Sequence, residues 1–542
     1  MSTVPATVAI QSFSNPRIAF VDQSDSYSIC RKALLIWLTV RTTAWTVVAS
    51  LQPNPPLDVL EWLAWGRNWQ LGYHKHPPLA AWIADLGYTL TGGRFFGIYL
   101  AGYLFLAWGM WSVWRLSSRL LPARLSLASV LCLDGLCYLG SSAAEFNNQV
   151  LLLAFWVLAV ERFYAAVERD SILNWSTVGV MLGLALLCKY SAMFLILPLL
   201  AWWIYHFRAR RWMGPAIAAG CAFLVFLPHL VWLVQNDFPT LKYAAQRTQG
   251  QPGANPPYLT AGMFIVGQIW RVLPVVLILL PLVCFRRRSC SDEDSLGRSL
   301  VLTAFFGPIL LHLFAGFALG LQLRDIWGYP LLTLSGLGLL LLFETRGDES
   351  SLAKCRFLWL VVAGSFLVLT LAANWGGGLL RGKPLRIHYP GAELAREICD
   401  RYREKYGINP GIIAGDWWLA ANIACHSPHR PPVYGSREPA SFALDLKHDK
   451  GDPRRYAWPD EGLSWGVTDD VFKRNGGIIV WDSRVYGEKF PPWLAIRFPS
   501  AQQQPGLNLP CSGGSGQSLK VGWVVLAPQS TIDSPNLSRS NP

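Results

Sequence analysis

Pro55-Pro56-Leu57-Asp58-Val59-Leu60-Glu61-Trp62-Leu63-Ala64-Trp65-Gly66, followed after five intervening residues by Gly72-Tyr73-His74-Lys75-His76-Pro77-Pro78-Leu79, is too polar to cross a bilayer and sits between two stretches that are not. Residues 33–51 and 94–114 are apolar over the length a membrane helix needs. Runs of the same kind recur at 122–142, 147–165, 174–188, 190–206, 213–234, 260–285, 298–320, 326–344 and 357–374, so the pattern predicts a polytopic α-helical membrane protein of about 11 spans. Composition agrees: the 542 residues are 52% hydrophobic and 15% charged, whereas soluble chains carry about 25% charged residues. One large soluble globule is excluded. The net charge of +13 would raise nucleic acid as a partner of a soluble protein, but much of it sits in short loops between apolar runs, so no nucleic-acid partner is expected.

Those loops set the sidedness. With residues 1–30 read as a disordered cytoplasmic tail, the inner loops hold eighteen Lys and Arg, including Arg115, Arg119, Arg124, Arg286 and Arg287. The outer loops hold seven: Arg67, Lys75, Arg94, Lys189, Lys242, Arg247 and Arg324. The positive-inside rule selects this orientation, and an odd span count puts the C-terminus outside. Reading 174–206 as one helix would reverse everything after it, so a hairpin turning at Lys189 is expected. The membrane domain then covers 31–375, with 52–93 as its first outer loop. From about 375 the composition turns soluble: a Gly-rich joint at Gly376, Gly377 and Gly378, helices at 391–405 and from Asp416, and strands near 411–415 and 478–481. These predict a periplasmic α/β domain over 376–512 and a flexible tail over 513–542. The eleven Cys contain no CxxC pair and imply no zinc site. Cys399, Cys425 and Cys511 would lie in an oxidising compartment, where one disulfide of undetermined pairing can form.

Chemistry concentrates in the first outer loop. Asp58 stands at a helix start, Glu61 follows on the same face, and Trp62 and Trp65 give the helix an amphipathic surface suited to the membrane interface. Asp58 and Glu61 read either as an N-cap and its capping-box partner or as a general base with a neighbour. His74, Lys75 and His76 are either a solvated basic turn or proton-transferring groups. Lys189 interrupts an apolar stretch, where an ionisable residue is expensive enough to be functional by default, although a lysine can also snorkel there. Arg41 and Arg271 lie inside spans and must be paired or face a cavity. His229 reads as a hydrogen-bonded structural histidine. The 235–260 connection, broken by Pro and Gly, reads either as a plain connector or as a loop that closes over a ligand.

An Asp after the first span, a Trp seven residues on, a Gly seven further, then Tyr and a basic residue before Pro-Pro-Leu resembles the ArnT-like and protein O-mannosyltransferase-like membrane glycosyltransferases of the GT-C fold (family 39 type), near the branch of the rhizobial galacturonosyltransferases. The resemblance continues through Phe146-Asn147-Asn148-Gln149, Gly183 to Lys189-Tyr190, Pro228-His229-Leu230-Val231-Trp232, Asn236-Asp237-Phe238 and Trp327-Gly328-Tyr329-Pro330. It covers about 33–345, with Gly415-Asp416-Trp417-Trp418 and His429-Arg430-Pro431 beyond.

The resemblance implies an inverting transfer of a sugar from a polyprenyl-phosphate donor to an envelope glycan or lipid acceptor, such as lipid A or the lipopolysaccharide core, at the periplasmic face of a bacterial inner membrane. Asp58 would be the base. Val59 replaces the family's usual second acid, which leaves Glu61 as a substitute one turn on, and His76 holds the basic place before the Pro-Pro pair. Lys189 with Tyr190, Arg247 and Arg324 would hold the donor phosphate, since fixed positive charge stabilises the leaving group without a metal. Tyr73, Lys75, Glu145 and Asn147 would complete the substrate site; many relatives carry an Asp near Glu145. No cofactor is required, and a divalent metal is optional. A lipid or solute transporter, a protein O-glycosyltransferase and a scaffold built on the outer domain stay open as alternatives.

Overall fold

Most of the apolar runs fold as single long helices. The computed structural model describes residues 20–207, 211–249, 255–287, 295–435, 466–513 and 516–528. Eight helices among them are long and apolar enough to cross a membrane: Asp25–Ser50, Phe96–Ser117, Asn148–Glu168, Tyr190–Phe207, Met213–Gln235, Pro257–Leu282, Ser295–Phe317 and Glu349–Arg381. Large apolar side chains such as Phe223, Leu224, Val266, Phe357 and Leu360 are exposed on these helices. Such a surface is stable only against lipid.

Two of the expected spans are not continuous helices. The 122–142 run is helical only over Ala123–Leu131 and then continues as 3-10 turns at Cys132–Gly135, Cys137–Leu139 and Ser141–Glu145. The cause is a buried polar knot. Asp134 accepts from Arg41 Nε at 2.6 Å and from the indole nitrogens of Trp37 and Trp359, each at 2.9 Å. Arg41 also donates to the Leu139 carbonyl, and Gly140 lets the Trp45 ring approach closer than any Cβ would allow. The 326–344 run is likewise a 3-10 turn, Asp325–Gly328, followed by a short helix, Ser335–Leu342. A further expected span, Ile172–Cys188, is a helix of 17 residues. It ends where the hairpin reading requires: Lys189 is extended, and the next helix, Met193–Phe207, follows a 3-10 turn.

By its contacts the chain divides into two units, Met1–Val47 with Lys75–Leu79 and Tyr99–Val368, and Val48–His74 with Ala80–Ile98 and Leu369–Pro542. The first contains most of the membrane helices. It also holds a two-stranded ribbon, β1 Val283–Arg287 paired antiparallel with β2 Phe343–Thr345, while in the second unit helices Leu57–Gly66 and Leu79–Leu90 of the first outer loop join a six-stranded mixed sheet. Its strands are β3 Ile412–Gly415, β4 Val433–Gly435, β5 Gly477–Asp482, β6 Gln502–Gln503, β7 Leu507–Pro510 and β8 Ser518–Leu526, in the order β4-β3-β5-β8-β6 with β7 paired to β8. β3 runs parallel to β4 and β5, and β8 runs antiparallel to β5. The Trp417–His426 helix makes the β3-to-β4 crossover, capped by Asp416, which accepts from the Trp418 and Leu419 amides at 3.0 and 3.1 Å. The helix of 391–405 is found at Gly391–Tyr406.

Three expectations need correction here. The disordered 1–30 tail is too long, because the first helix begins at Phe20; residues 1–19 lie outside the described residues. Gly376, Gly377 and Gly378 are not a joint but part of the helix Glu349–Arg381, where Gly378 allows close approach of the Gly513 carbonyl. The flexible tail does not begin at 513, because β8 is a buried sheet strand whose Leu519, Val521, Trp523 and Val525 fill the core. Cys399, Cys425 and Cys511 are all free thiols.

Candidate functional site

Within the first unit, a basic cluster forms around the break at Lys189. The Lys189 amide caps the preceding helix by donating to the Ala185 carbonyl at 3.0 Å. Its ammonium lies 5.7 Å from the centre of the Trp327 ring. Tyr190, the next residue, ties three elements together through its hydroxyl, which lies 2.7 Å from His229 Nε2 and 2.5 Å from Thr240 Oγ1. His229 and Thr240 are fully enclosed. His229 is therefore the structural histidine that the sequence implied.

Thr240 opens the helix Pro239–Gln249, which replaces the loop expected over 235–260; the remainder of that loop, 250–254, lies outside the described residues. This helix carries Tyr243, whose ring meets His76 edge-on at 5.8 Å, and Arg247, whose guanidinium lies 5.9 Å from the Tyr243 ring. His76 is held well below the usual histidine range, first by burial and then by the charges of Lys189, Lys75 and Arg247. Four of the residues singled out in the sequence, Lys75, His76, Lys189 and Arg247, therefore share one neighbourhood. Arg324 is the N-cap of the 3-10 turn that carries Trp327. Such a concentration of fixed cations at the end of membrane helices is suited to an anion, and a phosphate above all. Glu145 closes the 3-10 turn Ser141–Glu145, and Asn147 caps the following helix, its side-chain oxygen accepting from the Gln149 amide at 3.0 Å.

Within the second unit, Asp58 is the second residue of the Leu57–Gly66 helix. The N-cap is Pro56, which has no side-chain cap, so the capping-box reading of Asp58 and Glu61 fails. The interfacial reading of this helix fails as well, because every residue from Val59 to Gly66 is buried, Glu61 included. Its faces are covered by protein: the Trp417–His426 helix packs on it, and Arg430 donates to the Leu63 carbonyl at 2.9 Å. Tyr73 is fully buried, stacked on Trp65 with ring centres 5.2 Å apart, and its hydroxyl is committed to the Trp65 carbonyl at 3.0 Å. Burial raises its pKa. A side chain so enclosed supports the loop.

Sequence reasoning missed Asp85, which pairs with Arg430 at 2.8 Å and accepts from the Trp69 indole at 2.8 Å. It also missed Thr240, Tyr243 and Trp327 as members of the basic cluster. Asp85 carried a signal, an acid inside the otherwise apolar Leu79–Leu90 helix; Thr240 and Tyr243 carried none, because their roles depend on partners far along the chain. Among the described residues, no three His, Cys, Asp or Glu side chains gather as a metal-ligand group.

The architecture is shared with ArnT from Cupriavidus metallidurans. The structure bound to undecaprenyl phosphate superposes with a TM-score of 0.57 and 15% identity, covering 93% of this chain and 99% of that one; the apo structure gives 0.55. The fold is accordingly that of the ArnT structures. Residues 75–232 match the family dolichyl-phosphate-mannose-protein mannosyltransferase. Two Rhizobium johnstonii proteins are similar in sequence. A lipopolysaccharide core galacturonosyltransferase is 25% identical over 392 residues, which is 68% of this chain and 75% of that protein. A lipid A galacturonosyltransferase is 26% identical over 195 residues, 34% of this chain and 40% of that protein's length. The chain is thus similar in fold to the ArnT structures and in sequence to the two galacturonosyltransferases.

Proposed function

We propose that this protein transfers a sugar from a polyprenyl-phosphate donor to an envelope glycan or lipid acceptor, of the lipid A or lipopolysaccharide core kind, at the periplasmic face of a bacterial inner membrane. The observation that carries this reading is the gathering of Lys75, His76, Lys189 and Arg247 in one neighbourhood, with Tyr190 tied to two other elements beside them. Names of the relatives support it: two are galacturonosyltransferases of envelope lipids, and one solved relative holds undecaprenyl phosphate.

In this reaction an acceptor hydroxyl attacks the anomeric carbon, the bond from that carbon to the phosphate oxygen breaks, and the configuration inverts. Asp58 takes the acceptor proton, which is the work of a positioned carboxylate. The electron pair of the broken bond goes to the lipid phosphate. Lys189, Arg247 and Arg324 stabilise the charge that develops there, with Lys75 and Tyr190 beside them. Glu61, Glu145 and Asn147 are assigned to the acceptor side. The N-terminus is cytoplasmic, the membrane domain runs from the helix Asp25–Ser50 to the helix Glu349–Arg381, and the sheet domain is periplasmic.

A transporter would also use broken helices with buried charge. In the 122–145 break, however, the buried charge is consumed internally: Arg41 and Asp134 neutralise each other. The deciding experiment is mass spectrometry of envelope lipids and polyprenyl phosphates from cells with the protein, without it, and with Asp58→Asn. Loss of one sugar from an envelope glycan, with its lipid-linked donor accumulating in both the deletion and the variant, supports the transferase. Unchanged glycans with a lipid trapped on one side of the membrane overturn it in favour of transport.

A further inference from the structure

Arg271 lies in the middle of the spanning helix Pro257–Leu279, where a guanidinium needs a partner. Its partner is Asp325, ion-paired through Nη2 and Oδ2. The Arg271 guanidinium also donates to the Gly267 carbonyl at 2.9 Å and lies 5.4 Å from the centre of the Tyr138 ring. Gln268, three residues earlier on the same helix and largely buried, donates to the Asp325 carbonyl at 3.1 Å and to its Oδ1 at 3.2 Å. The Tyr138 hydroxyl donates to the same carbonyl at 3.3 Å, and its ring stacks on Tyr329 with centres 3.7 Å apart. Asp325 is thus gripped through both its side chain and its backbone.

What is gripped is the start of the 3-10 turn Asp325–Gly328. That turn has Arg324 as its N-cap and carries Trp327, the ring facing the Lys189 ammonium. The fit leaves no slack. A Cβ at Gly328 would overlap the Gln268 amide, and one at Gly267 would reach 2.5 Å from Asp325 Oδ1 and 3.0 Å from Arg271 Nη1. Stability alone does not account for a charged pair here, because a partly exposed pair contributes little and apolar residues of similar volume would pack the same space. A pair with fixed hydrogen-bond directions instead specifies where the turn sits.

We propose that Arg271 and Gln268 form a latch on Asp325 that positions Arg324 and Trp327 for the donor phosphate at Lys189, an inference that rests on reading the Lys189 cluster as the donor site. Arg271 is a positioning residue in this scheme and does not touch the donor.

The test uses the full chain in detergent, titrated with undecaprenyl phosphate, with the thermal midpoint and the steady-state transfer parameters measured on the same samples. Arg271→Gln and Gln268→Ala should each weaken binding by about tenfold and raise the KM for the donor while kcat at saturation changes little. Arg271→Lys, which keeps an ionic contact to Asp325, should recover most of the affinity. A lowered thermal midpoint with unchanged affinity in Arg271→Gln, beside a weakened Lys189→Ala control, overturns the latch while leaving the donor site intact. Unchanged affinity in Lys189→Ala overturns the donor-site reading itself. If Arg271→Gln does not accumulate, Gln268→Ala, which leaves the ion pair in place, decides by the same criteria.

Discussion

The two ends of the first outer loop are held in place by different physics. Around Asp58 the restraint is mainly close packing, with Arg430 tying the Leu63 carbonyl to Asp85: Val59 to Gly66 are enclosed, Trp62 and Trp65 meet edge to face at 5.3 Å, and Gly66 lets its helix approach the Ala81 carbonyl and Asp85. Around His76 the restraint is polar, made of an edge contact to Tyr243, the charges of Lys75, Lys189 and Arg247, and the Tyr190 hydroxyl shared between His229 and Thr240. Packing is indifferent to pH and salt, whereas a cluster of cations responds to both. One end of the loop is thus built to hold a group still. The other is built to answer the arrival of negative charge.

The sharpest contrast is expected between Asp58, the proposed base, and Lys189, the proposed phosphate ligand. Asp58→Asn should lower transfer by about a thousandfold, the scale of losing a general base, while leaving undecaprenyl phosphate binding within error of wild type. Loss of lipid binding in that variant would show that the packed end also serves the donor. Lys189→Ala should weaken lipid binding and transfer together, by about a hundredfold. That loss should shrink at high ionic strength, whereas the Asp58→Asn defect should not. Equal salt dependence of the two, measured in the same transfer assay, would erase the distinction.

Gly66→Ala probes the packed end by added volume. The added Cβ would overlap the Ala81 carbonyl and meet Asp85 Cβ at 2.8 Å, so helices Leu57–Gly66 and Leu79–Leu90 must separate. Overpacking of this kind costs about 2 kcal/mol, visible as a lowered thermal midpoint. Transfer should fall with it because Asp58 rides on the displaced helix. An unaltered midpoint would mean that the contact is looser than the structure describes.

How much of this was legible in the sequence follows the same division. Spans were readable where composition alone decides, since a run of apolar residues the length of Asn148–Glu168 has little choice but to be a buried helix. The outer domain was readable where local chemistry decides: Asp416 announces its helix, and Ile478 to Trp481 their strand. The reading failed where a distant partner overrides composition. Asp134 breaks its run because Arg41, Trp37 and Trp359 converge on it. Strand β8 was lost for a different reason: Val521, Trp523, Val524 and Val525 carried a strand pattern that the Ser- and Pro-rich flanks obscured. At the site, Lys189 was legible because a charge in an apolar run is an anomaly by itself. Thr240 and Tyr243 were not, since nothing in a short polar stretch says that it will fold against Tyr190 and His76.

The smallest expected effect is the most specific to the basic end. His76 is held well below its ordinary value of 6.5 by burial and by Lys189, Lys75 and Arg247, so in the ligand-free protein it is neutral at pH 7. The sign for folding follows directly. Below pH 6.5 the unfolded chain binds a proton that the folded one refuses, so His76 reduces stability as pH falls through that range and costs nothing above it. A bound lipid phosphate supplies negative charge that offsets those cations and lifts the pKa of the imidazole, so binding takes up a proton between the depressed and the lifted value. Affinity for undecaprenyl phosphate should therefore gain, on lowering the pH from 7 toward 5.5, a component absent from His76→Gln. The limit for one linked proton is about tenfold per pH unit. The phosphate's own titration acts equally on both proteins and cancels in the difference between them. Identical pH profiles for wild type and His76→Gln would mean that the phosphate does not lie near His76, and the cations that depress this histidine would then have been gathered for some other anion.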